Sequence, residues 1–90
     1  MSRFSDYPER LRLEVLSLGT DGFVHEDVKS LTVPLEDGSL LGILPKHAPL
    51  IAATSDGTLR FTDQEGKHER NIKAGIMTIR NNIVSILTTY

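Results

Sequence analysis

The chain has no cysteine among its 90 residues, so it can build neither a disulfide framework nor a thiolate metal site. That agrees with a reducing compartment. It also lacks any long apolar run; stretches such as 40–44 are far too short to cross a bilayer as a helix. The opening MSRFSDYPER is polar and charged, with none of the apolar stretch a secretory signal needs. A soluble protein, or one that meets a membrane only through a partner, is expected. Charge of one sign is missing too. Ten Lys and Arg face twelve Asp and Glu, scattered along the chain, for a net charge of −2. This is not the basic footprint of a nucleic-acid binder. The few aromatics (Phe4, Tyr7, Phe23, Phe61 and Tyr90) do not interleave with basic residues, as a stacking platform for single strands requires.

The chain is equally poor in catalytic signatures. It has no Gly-x-Ser-x-Gly elbow, no phosphate-cradling glycine loop and no His-Glu-x-x-His helix. Its seven glycines are dispersed at turns. His25, His47 and His68 fall in separate segments at spacings that match no zinc pattern, and edge or surface histidines are the simpler reading. Glu36 and Asp37 form an acidic pair, but at a turn where Asp37 already has a structural task in an Asp-Gly step. Arg60, Lys73 and Arg80 read as a basic edge or, more simply, as solvent-facing residues between core positions. No catalytic residue, cofactor or metal is expected.

What the chain does have is strand code. An apolar content of 39% suffices for one core. A domain of this size buries about 60–65% of its extended-chain surface. Val, Ile and Thr make up 20 of the 90 residues and favour pleated structure. Leu11, Leu13 and Val15 alternate with Arg12 and Glu14, the period of a half-buried strand. The apolar positions then shift to Leu16 and Leu18, which suggests a β-bulge. Turn signals recur at 19–22, Asp37-Gly38, Asp56-Gly57, 63–66 and Asn81-Asn82. Between them lie short segments at 23–28, 29–35, 40–44, 50–54, 59–62, 68–73, 76–80 and 83–89. Closely spaced strands of this kind point to a sandwich or barrel, and no helix is expected. Residues 1–10 read as a flexible extension and 11–90 as a single β domain.

One stretch exceeds generic folding code. In GSLLGILPKHAPL, residues 38–50, a short apolar strand stops at Pro45, and Pro49 follows after Lys46, His47 and Ala48. Each proline fixes its own φ and restrains the residue before it, so the segment is a stiff corner. Such a corner serves either as a binding edge or as a bend between strands.

The run Gly42-Ile43-Leu44-Pro45-Lys46-His47-Ala48-Pro49-Leu50 resembles the G-I-L-P-x-H-A-P-L signature of the epsilon subunit of F-type ATP synthases. Further matches keep the same order. Residues 13–17 (LEVLS) are similar to the family's first strand, and Leu31-Thr32-Val33-Pro34 with Asp37-Gly38 to the strand and turn before the signature. Residues 56–61 (DGTLRF) resemble the segment after it. Ala74-Gly75-Ile76-Met77 with 82–87 resembles the closing hairpin. Three departures stand out: Leu40-Leu41 before the signature glycine, His25 where the family has a glycine, and Ala74 in the closing hairpin's glycine pair.

The resemblance implies an all-β, flattened sandwich or barrel of about ten short, mostly antiparallel strands. It implies a non-catalytic subunit of the rotor's central stalk, coupling the gamma subunit to the membrane c-ring during ion-driven ATP synthesis. By the same carry-over, Ser17, Pro45, His47, Ala48 and Pro49 would meet gamma. Glu36, Asp37, Gly38, Ser39 and Leu40 would meet the c-ring. A peripheral place on the cytoplasmic face of the inner membrane goes with that role. Family members usually continue into two helices that restrain ATP hydrolysis, and neither inhibition nor ATP binding is expected of these residues. A stand-alone β-sandwich or oligonucleotide-binding module is the competing reading, and a small hydrolase a distant third.

Overall fold

In a computed structural model, residues 9–19 and 22–88 can be described, and they fold as nine strands without a helix. The strands are β1 (Leu11–Ser17), β2 (Phe23–Val28), β3 (Ser30–Pro34), β4 (Leu40–Ile43), β5 (Leu50–Thr54), β6 (Gly57–Asp63), β7 (Gly66–Ile72), β8 (Gly75–Arg80) and β9 (Ile83–Thr88). They form a five-stranded sheet in the order β2-β1-β9-β8-β5 and a four-stranded sheet in the order β4-β3-β6-β7. Every pairing is antiparallel except that of β1 with β9. An isolated bridge, Leu35 to Thr54, joins the two sheets. The expected all-β sandwich is therefore present. The expected flexible extension falls largely on residues 1–8, outside the described residues.

Alternation decides which side chains enter the core. Leu11, Leu13 and Val15 of β1 point inward with Met77, Ile79, Val84 and Ile86 of the same sheet. They meet Leu31, Val33, Ile43, Leu59, Phe61 and Ile72 from the other sheet. The inner faces of two stacked sheets interdigitate in this way. Among the described residues, no buried side-chain polar atom lacks a partner.

The bulge expected beyond Val15 is not there. Leu16 is 52% exposed and Leu18 78% exposed, so the alternation simply continues with apolar residues on the outer side. The parallel register fixes this: Val15 pairs with Ile86 and Leu16 with Leu87. The irregularity of this strand pair lies at its other end. Leu11 pairs with Val28 and Leu13 with His25, which leaves one extra residue in β2. Asp27, in the left-handed region at φ 58°, sits in that β2 bulge.

Packing requires glycine at two of the described positions, Gly22, where a Cβ would run into the Val15 carbonyl, and Gly75. A Cβ on Gly75 would lie 2.0 Å from the Leu87 carbonyl oxygen, because β8 and β9 approach closely there. Gly42, in the run that resembles the family signature, has nothing within 4 Å of such a Cβ. Gly75→Ala should therefore cost about 1–3 kcal/mol, the usual range for forced overpacking. Gly42→Ala should change stability by no more than about 0.5 kcal/mol. Urea denaturation of both variants checks the contrast, and equal losses would contradict it.

Candidate interaction surfaces

The proline-framed corner is the place where the chain changes sheets. It leaves the four-stranded sheet at the end of β4 and enters the five-stranded sheet at β5. The His47 N–H donates to the Leu44 carbonyl at 3.2 Å, closing a turn over Pro45 and Lys46. Lys46 has φ 69°. Proline second and a left-handed residue third is the pattern of a type II turn, where glycine is the usual third residue. The His47 side chain folds back, its Nδ1–H donating to the Ala48 carbonyl at 2.7 Å. A polar hollow beside the corner is lined by Glu9, Lys46, His47, Ala48, Pro49 and Asn82.

The β3–β4 hairpin lies at the far end of the molecule. The Gly38 N–H donates to the Leu35 carbonyl and the Leu35 N–H to the Ser39 carbonyl. With Gly38 at φ 91°, this is a three-residue loop ending in a glycine bulge. Asp37 Oδ1 accepts both the Ser39 N–H, at 2.8 Å, and the Ser39 hydroxyl. These bonds, the hydroxyl's first, hold the Asp37 carboxyl below its ordinary pKa. Glu36, Asp37, Gly38, Ser39 and Leu40 are all exposed. The hairpin's base is tied to β5, since the Glu36 N–H donates to the Ala53 carbonyl at 3.1 Å.

Strand registers show which of the sequence-derived contact residues come together. Ser17 pairs with Thr88, Thr88 with Gly75 and Gly75 with Thr54, so Ser17 sits at the hairpin's end. The corner adjoins the opposite end, where Leu50 pairs with Ile79 and Arg80 with Ile83. At about 3.3 Å per residue the two ends of β9 are about 17 Å apart. Ser17 thus lies at the same end as the group 36–40 but three strands across the sheet from Thr54, while Pro45, His47, Ala48 and Pro49 lie at the other end.

The outer face of the five-stranded sheet carries residues that sequence reasoning did not single out. Leu16, Leu87, Ile76 and Ala53 are successive partners across four strands. Leu16, Leu87 and Ile76 are about half exposed, and Ile51, one row away, is 74% exposed. The signal was the shift from Val15 to Leu16 and Leu18, which period-two logic attributed to a bulge. Nearer the corner the same face turns ionic. Arg12 donates to Glu14 at 2.9 Å and also pairs with Glu26. Arg12, followed by the Ser85 hydroxyl, holds the Glu14 carboxyl below its ordinary pKa.

The remaining candidates resolve into structural roles. His25 and His68, distant in sequence, stand with ring centroids 6.3 Å apart. His25 packs on Phe61 at 4.6 Å, and the Arg70 guanidinium lies 3.9 Å above the Phe23 ring. This aromatic seam closes the side of the sandwich where β2 meets β6 and β7. His47 lies elsewhere, on the corner. Asp63, Glu65 and His68 bring ligating atoms within 4.8 Å of one another. Asp63 Oδ1 already accepts the His68 Nε2–H and the Glu65 N–H, which organises the β6–β7 turn. Its carboxyl is lowered chiefly by the bond from His68. Arg60 is paired with Glu69 at 2.8 Å on the four-stranded sheet, whereas Arg80 belongs to the five-stranded one, so they share no basic edge.

Comparison with known proteins fits this geometry. Residues 10–89 match the family described as ATP synthase, Delta/Epsilon chain, beta-sandwich domain. The chain belongs to that family. An ATP synthase epsilon chain from Leptospira borgpetersenii is 39% identical over 64 residues, covering 71% of this chain and 50% of that protein. One from Pelotomaculum thermopropionicum is 40% identical over 77 residues, covering 84% and 55%. The chain thus spans about half the length of the curated relatives it matches. Among solved structures, a chain of the Euglena gracilis mitochondrial ATP synthase (OSCP/F1/c-ring) superposes with a TM-score of 0.78 at 20% identity. That match covers 92% of this chain and 52% of the other. A chain of the Tetrahymena thermophila mitochondrial ATP synthase central stalk/c-ring gives 0.71 at 10% identity, covering 91% and 65%. At these identities the likeness is one of fold.

The hairpin supplies a pH prediction. A carboxylate with a depressed folded-state pKa adds stability that is complete above its ordinary pKa. That stability is lost as pH falls through the folded value. Asp37→Asn should therefore flatten the loss of stability between about pH 5 and about pH 2 relative to the unaltered chain. Denaturation midpoints across that range measure it, and parallel curves would count against the assignment.

Proposed function

We propose that this epsilon-family domain is a non-catalytic link in the rotor of an F-type ATP synthase, joining the gamma subunit to the c-ring. The observation that carries the reading is the solvent-exposed apolar row Leu16–Leu87–Ile76, left open on a sandwich in which no buried side-chain polar atom of the described residues lacks a partner. Exposed apolar surface of this kind marks a protein contact. Both superposed chains come from ATP synthase assemblies that include the c-ring.

In this reading gamma lies along the five-stranded sheet. It meets Ser17 and the apolar row at one end and Pro45, His47, Ala48 and Pro49 at the other. Those two groups are too far apart for a small contact, so the partner spans the length of the sheet. The polar hairpin of Glu36, Asp37, Gly38, Ser39 and Leu40 meets the loops of the c-ring. The domain works peripherally, on the cytoplasmic face of the cell membrane, and holds its partners in fixed relation rather than performing chemistry. Its stiffness comes from two packed sheets and a proline-framed corner, which reduce the freedom lost on binding.

Titrating the chain with purified gamma tests this. Ile76→Lys and Leu87→Lys together should weaken binding at least about tenfold, because both side chains are central to the row. Outward-facing positions leave the core intact, so the thermal midpoint should hardly move. No binding by the unaltered chain, or equal binding by the double variant, would sink the proposal.

A further inference from the structure

Asn82 does more than its turn requires. Asn81 and Asn82, at φ 51° and 64°, form the two-residue turn between β8 and β9, for which asparagine is well suited. That accounts for the Asn82 backbone and leaves its side chain unexplained. The carboxamide reaches across to two other segments. Its Oδ1 accepts the Lys46 N–H at 2.6 Å, and its Nδ2 donates to Glu9 Oε2 at 2.8 Å. A backbone N–H on one side and a carboxylate on the other define which way the amide points. The Asn82 carbonyl also accepts the Arg12 N–H at 2.8 Å. One residue thus joins the start of β1, the β8–β9 turn and the sheet-changing corner.

The bond to the corner falls on Lys46, at φ 69°. A lysine in the left-handed region is strained, and such strain persists only where surroundings enforce it. Asn82 is the side chain that grips this residue's amide.

We propose that Asn82 is the positioning residue of the docking corner: its carboxamide locks Lys46 left-handed and so presents His47, Ala48 and Pro49 in one fixed arrangement. The inference rests on the reading that this corner meets gamma. Its own content is the mechanical link, which is measurable without gamma.

The test uses Asn82→Gly, which keeps a residue at ease with positive φ but removes the carboxamide. Asn81→Gly is the matched control. In the free chain, Asn82→Gly should speed amide exchange at Lys46 about tenfold relative to the control, the effect of losing one hydrogen bond. It should weaken gamma binding about three- to tenfold. Lys46→Asn provides the rescue, since asparagine accepts the left-handed region unaided. In that background, Asn82→Gly should cost less than about twofold in affinity, a coupling that general loosening would not produce. Equal Lys46 exchange in the two glycine variants would overturn the link. An undiminished affinity loss in the Lys46→Asn background would overturn positioning through Lys46. Failure of the unaltered chain to bind gamma would overturn the docking role, while the exchange comparison still decides whether Asn82 holds the corner.

Discussion

The parallel pairing of β1 with β9 is the constraint from which the rest of the structure follows. The two strands lie side by side over six residue pairs, in the interior of the five-stranded sheet. Parallel neighbours cannot be joined by a tight turn. Here the connection between them is nearly the whole domain. The sheet is complete only when both the earliest and the latest strand are in place, and non-local pairing dominates the fold. The register of that pair also determines what each face shows. Turning Leu13, Val15, Val84 and Ile86 inward turns Leu16 and Leu87 outward. A one-residue slip would bury the second set by exposing the first. The apolar surface and the core are therefore two consequences of one alignment.

Local chemistry was legible in the sequence, and long-range pairing was not. Segments 23–28 and 50–54 coincide with β2 and β5: a turn precedes the first, and Pro49 and Asp56-Gly57 bracket the second. The sandwich class followed from the spacing of those turns. The corner was legible as stiff, yet its change of sheet was not, because nothing local records which sheet the next strand joins. Period-two logic failed at Leu16 and Leu18 for a related reason. Alternation separates two faces, but when both carry leucine it cannot say which one is inside. His25 and His68 illustrate the same limit. Their aromatic seam arises from β2 packing over β6 and β7, a contact between sheets with no sequence period. Asn82 was concealed differently: its turn supplied a sufficient explanation for the residue type, which left nothing to suggest a second task for the side chain.

The two ends of the sandwich are built on different principles. At the hairpin, Asp37 and Gly38 satisfy a tight turn with local bonds, and the conformation suits the residues that adopt it. Such a loop holds its shape with little help from the rest of the domain. At the corner the chain crosses between sheets through a left-handed lysine, a conformation the residue does not favour. There the local turn bond between Leu44 and His47 is joined by one from outside the segment, from the Asn82 side chain. A strained segment held by remote groups responds to changes at those groups, whereas a locally satisfied turn does not. Glu9, β1 and the β8–β9 turn thus belong mechanically to the corner surface, although none of them is in it. These bonds tie the corner to the central β1–β9 pair, a linkage that suits the proposed rotor role. The Lys46 amide is bonded to the Asn82 side chain, and the Asn82 carbonyl in turn holds the Arg12 amide at the start of that pair.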